Sequence, residues 1–70
     1  MEPVLADILE AVKIKMENQG DYSREAFKAF VDEAIQDFLR QGILTDDDNL
    51  MSLEERAMLQ YNNIINGLNQ

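Results

Sequence analysis

The chain of 70 residues contains no cysteine, no histidine and no tryptophan, and it has one proline and three glycines. Without cysteine or histidine there is no thiolate nucleophile, no imidazole base and no thiol redox pair, and the usual ligands of zinc are missing. Carboxylates, serine and lysine remain as catalytic groups, but a single small core leaves little room for a closed, dry active site. We therefore expect a protein that is not an enzyme and carries neither a metal nor another cofactor.

Basic residues are also scarce: six lysines and arginines stand against fourteen acidic residues, which gives a formal net charge of −8. Affinity for nucleic acid comes mainly from lysine and arginine contacts with phosphates, which release bound counterions. A chain this acidic lacks the basic face that such binding needs. Direct nucleic-acid binding is therefore not expected.

Long hydrophobic runs are missing as well. No uncharged stretch reaches the length that a membrane-spanning helix requires, and residues 1–4 do not form the basic start of a signal peptide. These absences predict a cytoplasmic protein without a membrane partner.

The length of the chain limits the stability of its fold. An 8.1 kDa chain is expected to expose about 11,700 Å² when unfolded and about 4,500 Å² when folded. The apolar share of the buried surface contributes on the order of 110 kcal/mol, while ordering the chain costs on the order of 105 kcal/mol. Small proteins with so narrow a margin are commonly reinforced by disulfides, metals or association. Because the first two are missing here, we expect self-association or a protein partner.

Three segments show the apolar spacing of amphipathic helices, over about 3–19, 24–41 and 53–66. The first opens with Pro3, which suits the first position of a helix, and ends before Gly20, a typical left-handed stop. Its predicted buried stripe consists of Val4, Leu5, Ile8, Leu9, Val12 and Met16.

The second segment is predicted as the central helix. Ser23 is a favourable N-cap, Tyr22 and Phe27 occupy the two positions of a hydrophobic staple, and Gly42 follows the C-terminal end. We expect truncation of Phe30 in the core to cost about 3–5 kcal/mol. The wide apolar stripe indicates contacts on two sides and comprises Phe27, Phe30, Val31, Ala34, Ile35, Phe38 and Leu39.

The third segment begins with Ser52 and Glu55, which have the spacing of a capping box. In the linker 43–51, apolar residues at both ends are expected to pin the linker to the core, and Thr45 with Asp48 is a candidate cap for one extra helical turn. The apolar stripe of the third helix comprises Leu53, Ala57, Tyr61, Ile64, Ile65 and Leu68.

These elements predict an all-α fold with residues 1–70 in a single domain. The expected architecture is a small bundle of three antiparallel helices, with a helical dimer as a further expectation. The alternative is a long hairpin made from the first two helices, with the third helix packing on a second copy of the chain.

The last helix is unusual because no residue after Arg56 is charged, and its polar positions carry asparagine and glutamine instead. One interpretation is a fraying tail, because asparagine is a poor helix former and chain ends loosen. The other is a contact surface, because the centres of protein interfaces are depleted in lysine and acidic residues. The residues of this hypothetical contact surface are Met58, Tyr61, Ile65 and Leu68.

Asp46, Asp47 and Asp48 form an acidic loop before this helix. We expect the loop to attract a basic protein surface and so to influence partner choice. An alternative is that the protein acts as an acidic decoy for a basic nucleic-acid-binding protein. A second alternative is that these aspartates and Asn49 bind a divalent cation, although residues 51 and 57 are not the glycine and glutamate that an EF-hand loop needs.

Taken together, these features favour a non-catalytic protein that acts by association, as a homodimer or as a small regulatory or accessory subunit.

Overall fold

The helices pack around one apolar core in a computed structural model that describes the backbone of residues 3–68 and the side chains of residues 4–67. Within that range all the regular secondary structure is α-helical, which confirms the predicted all-α class. The prediction of three helices is wrong by one, because the segment predicted as a helix over 53–66 forms two shorter helices. The helices are α1 (Pro3–Gln19), α2 (Arg24–Arg40), α3 (Leu50–Leu59) and α4 (Tyr61–Leu68).

The local signals at the ends of α1 and α2 correspond to the observed boundaries. Gly20 follows α1 with a φ of 66°, and Gly42 follows α2 with a φ of 78°, a region that L-amino acids with a side chain rarely adopt. At the start of α2, the Ser23 hydroxyl accepts a hydrogen bond from the Ala26 amide at 3.1 Å. The predicted N-cap is therefore confirmed, and α2 ends within one residue of its expected boundary.

The start of α3 differs from the prediction. Asn49 is the N-cap, and its side-chain oxygen accepts a hydrogen bond from the Ser52 amide at 3.1 Å. The capping box that was predicted to start at Ser52 is therefore wrong. Asparagine is at least as favourable an N-cap as serine, and the earlier start brings Leu50 into the helix, where it packs against the core.

A break at Gln60 separates α3 from α4. The Gln60 amide donates to the Ala57 carbonyl at 3.0 Å, a three-residue bond that tightens the last turn of α3. The next helix then begins, with the Ile64 amide donating to the Gln60 carbonyl at 3.0 Å. No proline or glycine lies between Leu50 and Asn66, which explains why the sequence pattern indicated one continuous helix.

The linker between α2 and α3 contains a turn instead of the extra helical turn. The Thr45 amide donates to the Asp48 carboxylate at 2.8 Å, and the Asp48 amide donates to the Thr45 carbonyl at 3.0 Å. Anchoring of the linker is also only partly as expected. Leu44 is buried, whereas Ile43 and Met51 are exposed.

The core combines residues from all four helices and the linker. Phe27 is fully buried, whereas Phe30 and Phe38, which were expected in the same stripe, are only partly buried at its margin. The radius of gyration, 11.6 Å, is close to the roughly 11 Å expected for a compact chain of this length. The buried apolar residues are Leu5, Ile8, Leu9, Val12, Met16, Phe27, Val31, Ala34, Ile35, Leu44, Leu53, Ala57 and Ile64.

Candidate interaction surfaces

The residues predicted to form a contact surface on the last helix lie partly within the protein's own core. Met58, Tyr61 and Ile65 are half-buried and pack against the buried cluster. The side chain of Leu68 lies outside the described residues. A contact role for these four residues stays a prediction, and only their exposed portions are available for it.

Tyr61 has the best-defined surroundings of these residues. Its ring meets Phe27 edge-on, with the ring centroids 5.1 Å apart and an interplanar angle of 72°. Its hydroxyl donates a hydrogen bond to the Tyr22 carbonyl at 2.7 Å. The Arg24 guanidinium lies 6.0 Å from the centre of the ring. Tyr61 therefore joins the start of α4 to the start of α2.

A second apolar surface, which the sequence interpretation missed, lies on α3. Met51 and Leu59 are 75% and 77% exposed, although both are large apolar side chains. Together with the exposed Glu55 they occupy positions i, i+4 and i+8, which share one side of a helix. Leu53 and Ala57 are buried in the core. We call Met51, Glu55 and Leu59 the α3 outer face.

The α3 outer face was hidden by the predicted boundaries. The sequence pattern places Met51 in the linker as an anchor and predicts no role for Leu59. When α3 begins after Asn49, Met51 and Leu59 belong to the same helix. Their spacing of eight residues then places both on one side of that helix, and this spacing is the sequence signal for the α3 outer face.

Asp46, Asp47 and Asp48, which we call the acidic turn, are all exposed. The Asp48 carboxylate bonds to the Thr45 amide. Among the residues that the structure describes, neither Asp46 nor Asp47 takes part in an ion pair. Consecutive Cα atoms are about 3.8 Å apart, so the Cα atoms of Asp48 and Met51 lie within about 11 Å of each other. The acidic turn therefore adjoins the α3 outer face.

Three of the basic side chains are paired elsewhere. Lys15 lies 3.6 Å from Glu33 and 3.8 Å from Asp37, and Arg40 also pairs with Asp37. Lys28 lies 3.5 Å from Asp32 and 3.4 Å from Glu54. These pairs neutralise carboxylates of α2 and the inner side of α3, but they leave the negative charge of the acidic turn unbalanced.

The pKa of Lys28 is raised above its ordinary value of 10.5. The main cause is a hydrogen bond from its ammonium group to Glu54, and the negative charges of Asp32 and Glu54 add to the effect. Both interactions favour the protonated form. Lys28 therefore connects α2 to α3 as a cation.

An open groove of about 480 Å³ runs between α1 and α4. Leu9 and Ile64, which are largely buried, form its apolar part, while Glu10 and Lys13 contribute opposite charges on the α1 side. The Asn63 amide donates to Gln60 on the α4 side at 3.1 Å. The lining residues are Ala6, Leu9, Glu10, Lys13, Gln60, Asn63, Ile64 and Gly67.

Within residues 3–68, no group of three or more acidic side chains is arranged so that it could hold a metal ion. None of the helices in that range is both long enough and apolar enough to cross a membrane.

Comparison of the chain with protein-family models, with curated proteins and with solved structures gave no match. The function is therefore inferred from the residues of this chain and their geometry.

Proposed function

We propose that this protein is non-catalytic and acts by associating with other protein chains, as a homodimer or as a small accessory or regulatory subunit. The observation that carries the proposal is the exposure of Met51 and Leu59 on one side of α3, at 75% and 77%. Single exposed apolar side chains are ordinary, but two large ones on the same helix face are a feature of contact surfaces. Methionine is enriched at protein interfaces, where its flexible side chain adapts to different partners.

The small size of the core supports the same proposal. A chain with so little buried apolar surface gains stability from any partner that binds only the folded state. Met58, Tyr61 and Ile65 are candidates to extend the contact onto α4 through their exposed portions, with Leu68 as the fourth predicted residue.

Association is tested with the full chain in two measurements. Sedimentation velocity over a range of micromolar concentrations detects a homodimer. Affinity capture on the immobilised chain, from an extract of the source cell at low and high salt, detects other partners. We expect one of the two measurements to show specific association. A strict monomer that retains no protein above the level of a blank matrix contradicts the proposal.

A second candidate function is that of an acidic decoy, which occupies the basic groove of a nucleic-acid-binding protein. The observation that favours it is the acidic turn, where Asp46 and Asp47 are exposed and form no ion pair among the described residues. Such an association would be carried by charge and would weaken steeply as salt screens it.

The decoy function is tested by competition. The chain is titrated into complexes of labelled duplex DNA with basic DNA-binding proteins from the same source, at low salt. Release of the DNA by the wild-type chain, and weaker release by the D46N/D47N variant, is the expected result. Absence of release from every complex at low salt contradicts the decoy function.

A further inference from the structure

We infer that the α3 outer face and the adjoining acidic turn together form a docking site for a basic amphipathic helical segment of a different protein. This inference rests on the proposed function and specifies its surface and the chemistry of its partner. It differs from the decoy function because the contact includes the apolar side chains of Met51 and Leu59, with Glu55 between them and the acidic turn at the edge.

The apolar part of the site has the spacing of a helix-binding surface. Met51 and Leu59 are separated by eight positions, which corresponds to about 12 Å along the helix axis. An amphipathic helix presents apolar side chains at i, i+3, i+4 and i+7, so its first and last apolar residues are separated by a similar distance. Two turns of a partner helix therefore match the two apolar side chains of α3.

The charges of the site select a basic partner. Glu55 lies between Met51 and Leu59 on the same face, and Asp46 and Asp47 lie beyond its N-terminal end. Among the described residues these three carboxylates form no ion pair, whereas the lysines at positions 15 and 28 are held by other carboxylates. Lysine or arginine on the flanks of a partner helix would complement this charge.

A second copy of the chain does not fit the site as well. Each copy has a net charge of −8, and a two-fold contact centred on the α3 outer face would bring Glu55 of one copy close to Glu55 of the other. Charges closer together than the screening length of about 8 Å at physiological salt still repel each other. A helix that also reaches the acidic turn covers a larger area without that repulsion.

The inference is tested with a synthetic helical peptide as the probe. The peptide carries leucine along one face and lysine on the other positions, and a control peptide carries glutamate in place of lysine. Binding to the full chain is measured by calorimetry or by fluorescence anisotropy of a labelled peptide. We expect the wild-type chain to bind the lysine peptide and not the glutamate peptide.

The apolar contribution is isolated with the M51Q/L59Q variant. We expect it to weaken binding at least about tenfold, because loss of the central contacts of an interface outweighs loss of its edge. The matched control is Ile14→Gln, which removes an exposed apolar side chain from α1 (52% exposed), and its expected effect is less than about twofold. Circular dichroism checks that each variant is folded, which we expect because Met51, Leu59 and Ile14 are exposed.

The charge contribution is isolated with the D46N/D47N variant. We expect a reduction of a few fold at low salt that disappears at high salt, because the charges act at the edge of the site. The matched control is D7N/E17Q, which removes two exposed carboxylates from α1 and keeps those of the acidic turn. A smaller reduction is expected for this control.

Several results would overturn the inference. These are equal binding of both peptides, absence of binding to the lysine peptide, and unchanged binding by M51Q/L59Q. A homodimer that M51Q/L59Q dissociates would assign the face to a second copy instead. Such a homodimer would still support the broader proposal that the protein acts by association. Capture of a partner that M51Q/L59Q still binds would overturn the docking site and also support that broader proposal. Only a monomer that captures no protein contradicts that broader function.

Discussion

Phe27 is the side chain whose surroundings best explain the packing of the bundle. It is fully buried, and its ring meets Tyr61 from the beginning of α4. Phe30 and Phe38, in contrast, are partly buried at the margin of the core. Burial of a phenylalanine ring contributes in proportion to the area removed from water, so the three phenylalanines of α2 contribute unequally.

This difference predicts the outcome of two truncations. Phe27→Ala should lower the free energy of unfolding by about 3–5 kcal/mol, because it leaves a cavity in a core that cannot fully collapse. Phe30→Ala should lower it by roughly half as much or less, because part of the ring is already in water. Urea unfolding followed by circular dichroism gives both values.

The Phe27→Ala change removes a large part of the stability of so small a domain. Phe27→Leu and Phe30→Leu therefore form a milder second pair, for which we expect the same order. Equal losses within either pair would show that the two rings are equivalent in packing.

At the scale of single residues, the sequence indicated which side chains are apolar and share a face, but it did not rank them. The apolar stripe on α2 includes both Phe27 and Phe30. Periodicity shows which side of a helix faces the core, but it does not show how deeply each side chain is buried. The contact between Phe27 and Tyr61 could not be predicted, since it joins residues of different helices and depends on how those helices pack.

The elements differ in how strongly their local sequence specifies their ends. The ends of α1 and α2 are specified by single residues with strong preferences for such positions, and the observed boundaries agree with them. These residues are Pro3, Gly20, Ser23 and Gly42. The sequence predicts Ser52 as the N-cap of α3, whereas the observed N-cap is Asn49, three residues earlier. The earlier start brings Leu50 into contact with the core, and a tertiary contact of this kind is not visible in the local sequence.

The N-cap of α3 leads to a test at the scale of the element. Asn49→Ala should lower the free energy of unfolding by about 0.5–2 kcal/mol, because the Ser52 amide loses its acceptor. Ser52→Ala should change it by less than about 0.5 kcal/mol, because the Ser52 hydroxyl does not cap the helix. Thermal or urea unfolding measures both. A larger loss for Ser52→Ala than for Asn49→Ala would restore the capping box predicted from the sequence.

Lys28 gives a pH dependence to the contact between α2 and α3. Because its pKa is raised in the folded protein, its stabilising contribution is complete below the ordinary pKa of 10.5. That contribution is lost as the pH rises through the higher pKa of the folded state. We expect Lys28→Gln to reduce the loss of stability between about pH 9 and about pH 11.5.

The matched control for this experiment is Lys13→Gln. Lys13 is an exposed lysine on α1, and no ion pair is observed for it among the described residues. The unfolding free energy of the Lys13→Gln variant should therefore change with pH in parallel with that of the wild-type chain. Parallel profiles for Lys28→Gln and the wild type would show that the pairs with Asp32 and Glu54 do not stabilise the fold.

For the whole molecule, the helical spacing of apolar residues predicted the all-α class. The accessible surface of the folded chain, 4654 Å², agrees with the value of about 4,500 Å² expected from its mass. The acidic turn is exposed, as a run of aspartates suggests. The α3 outer face was not predicted, because an exposed methionine and leucine cannot be distinguished from core residues until the helix has a defined start. Predicting the candidate site therefore requires the position at which α3 begins, which composition does not give.

The net charge of −8 leads to a prediction for the molecule as a whole. Fourteen acidic residues outnumber six basic ones, so repulsion among the remaining carboxylates opposes the compact state. Sodium chloride shortens the screening length from about 30 Å at 0.01 M to about 10 Å at 0.1 M. Exposed ion pairs such as Lys15–Glu33 each contribute little, so screening of the repulsion should dominate.

We therefore expect the melting temperature to rise by several degrees over this range of salt, which corresponds to on the order of 0.5–1 kcal/mol. The D46N/D47N variant should show a smaller rise, because it has already lost two of the repelling charges. Differential scanning fluorimetry at fixed pH measures both. A melting temperature that falls with salt would show that the ion pairs on α1, α2 and α3 outweigh the repulsion.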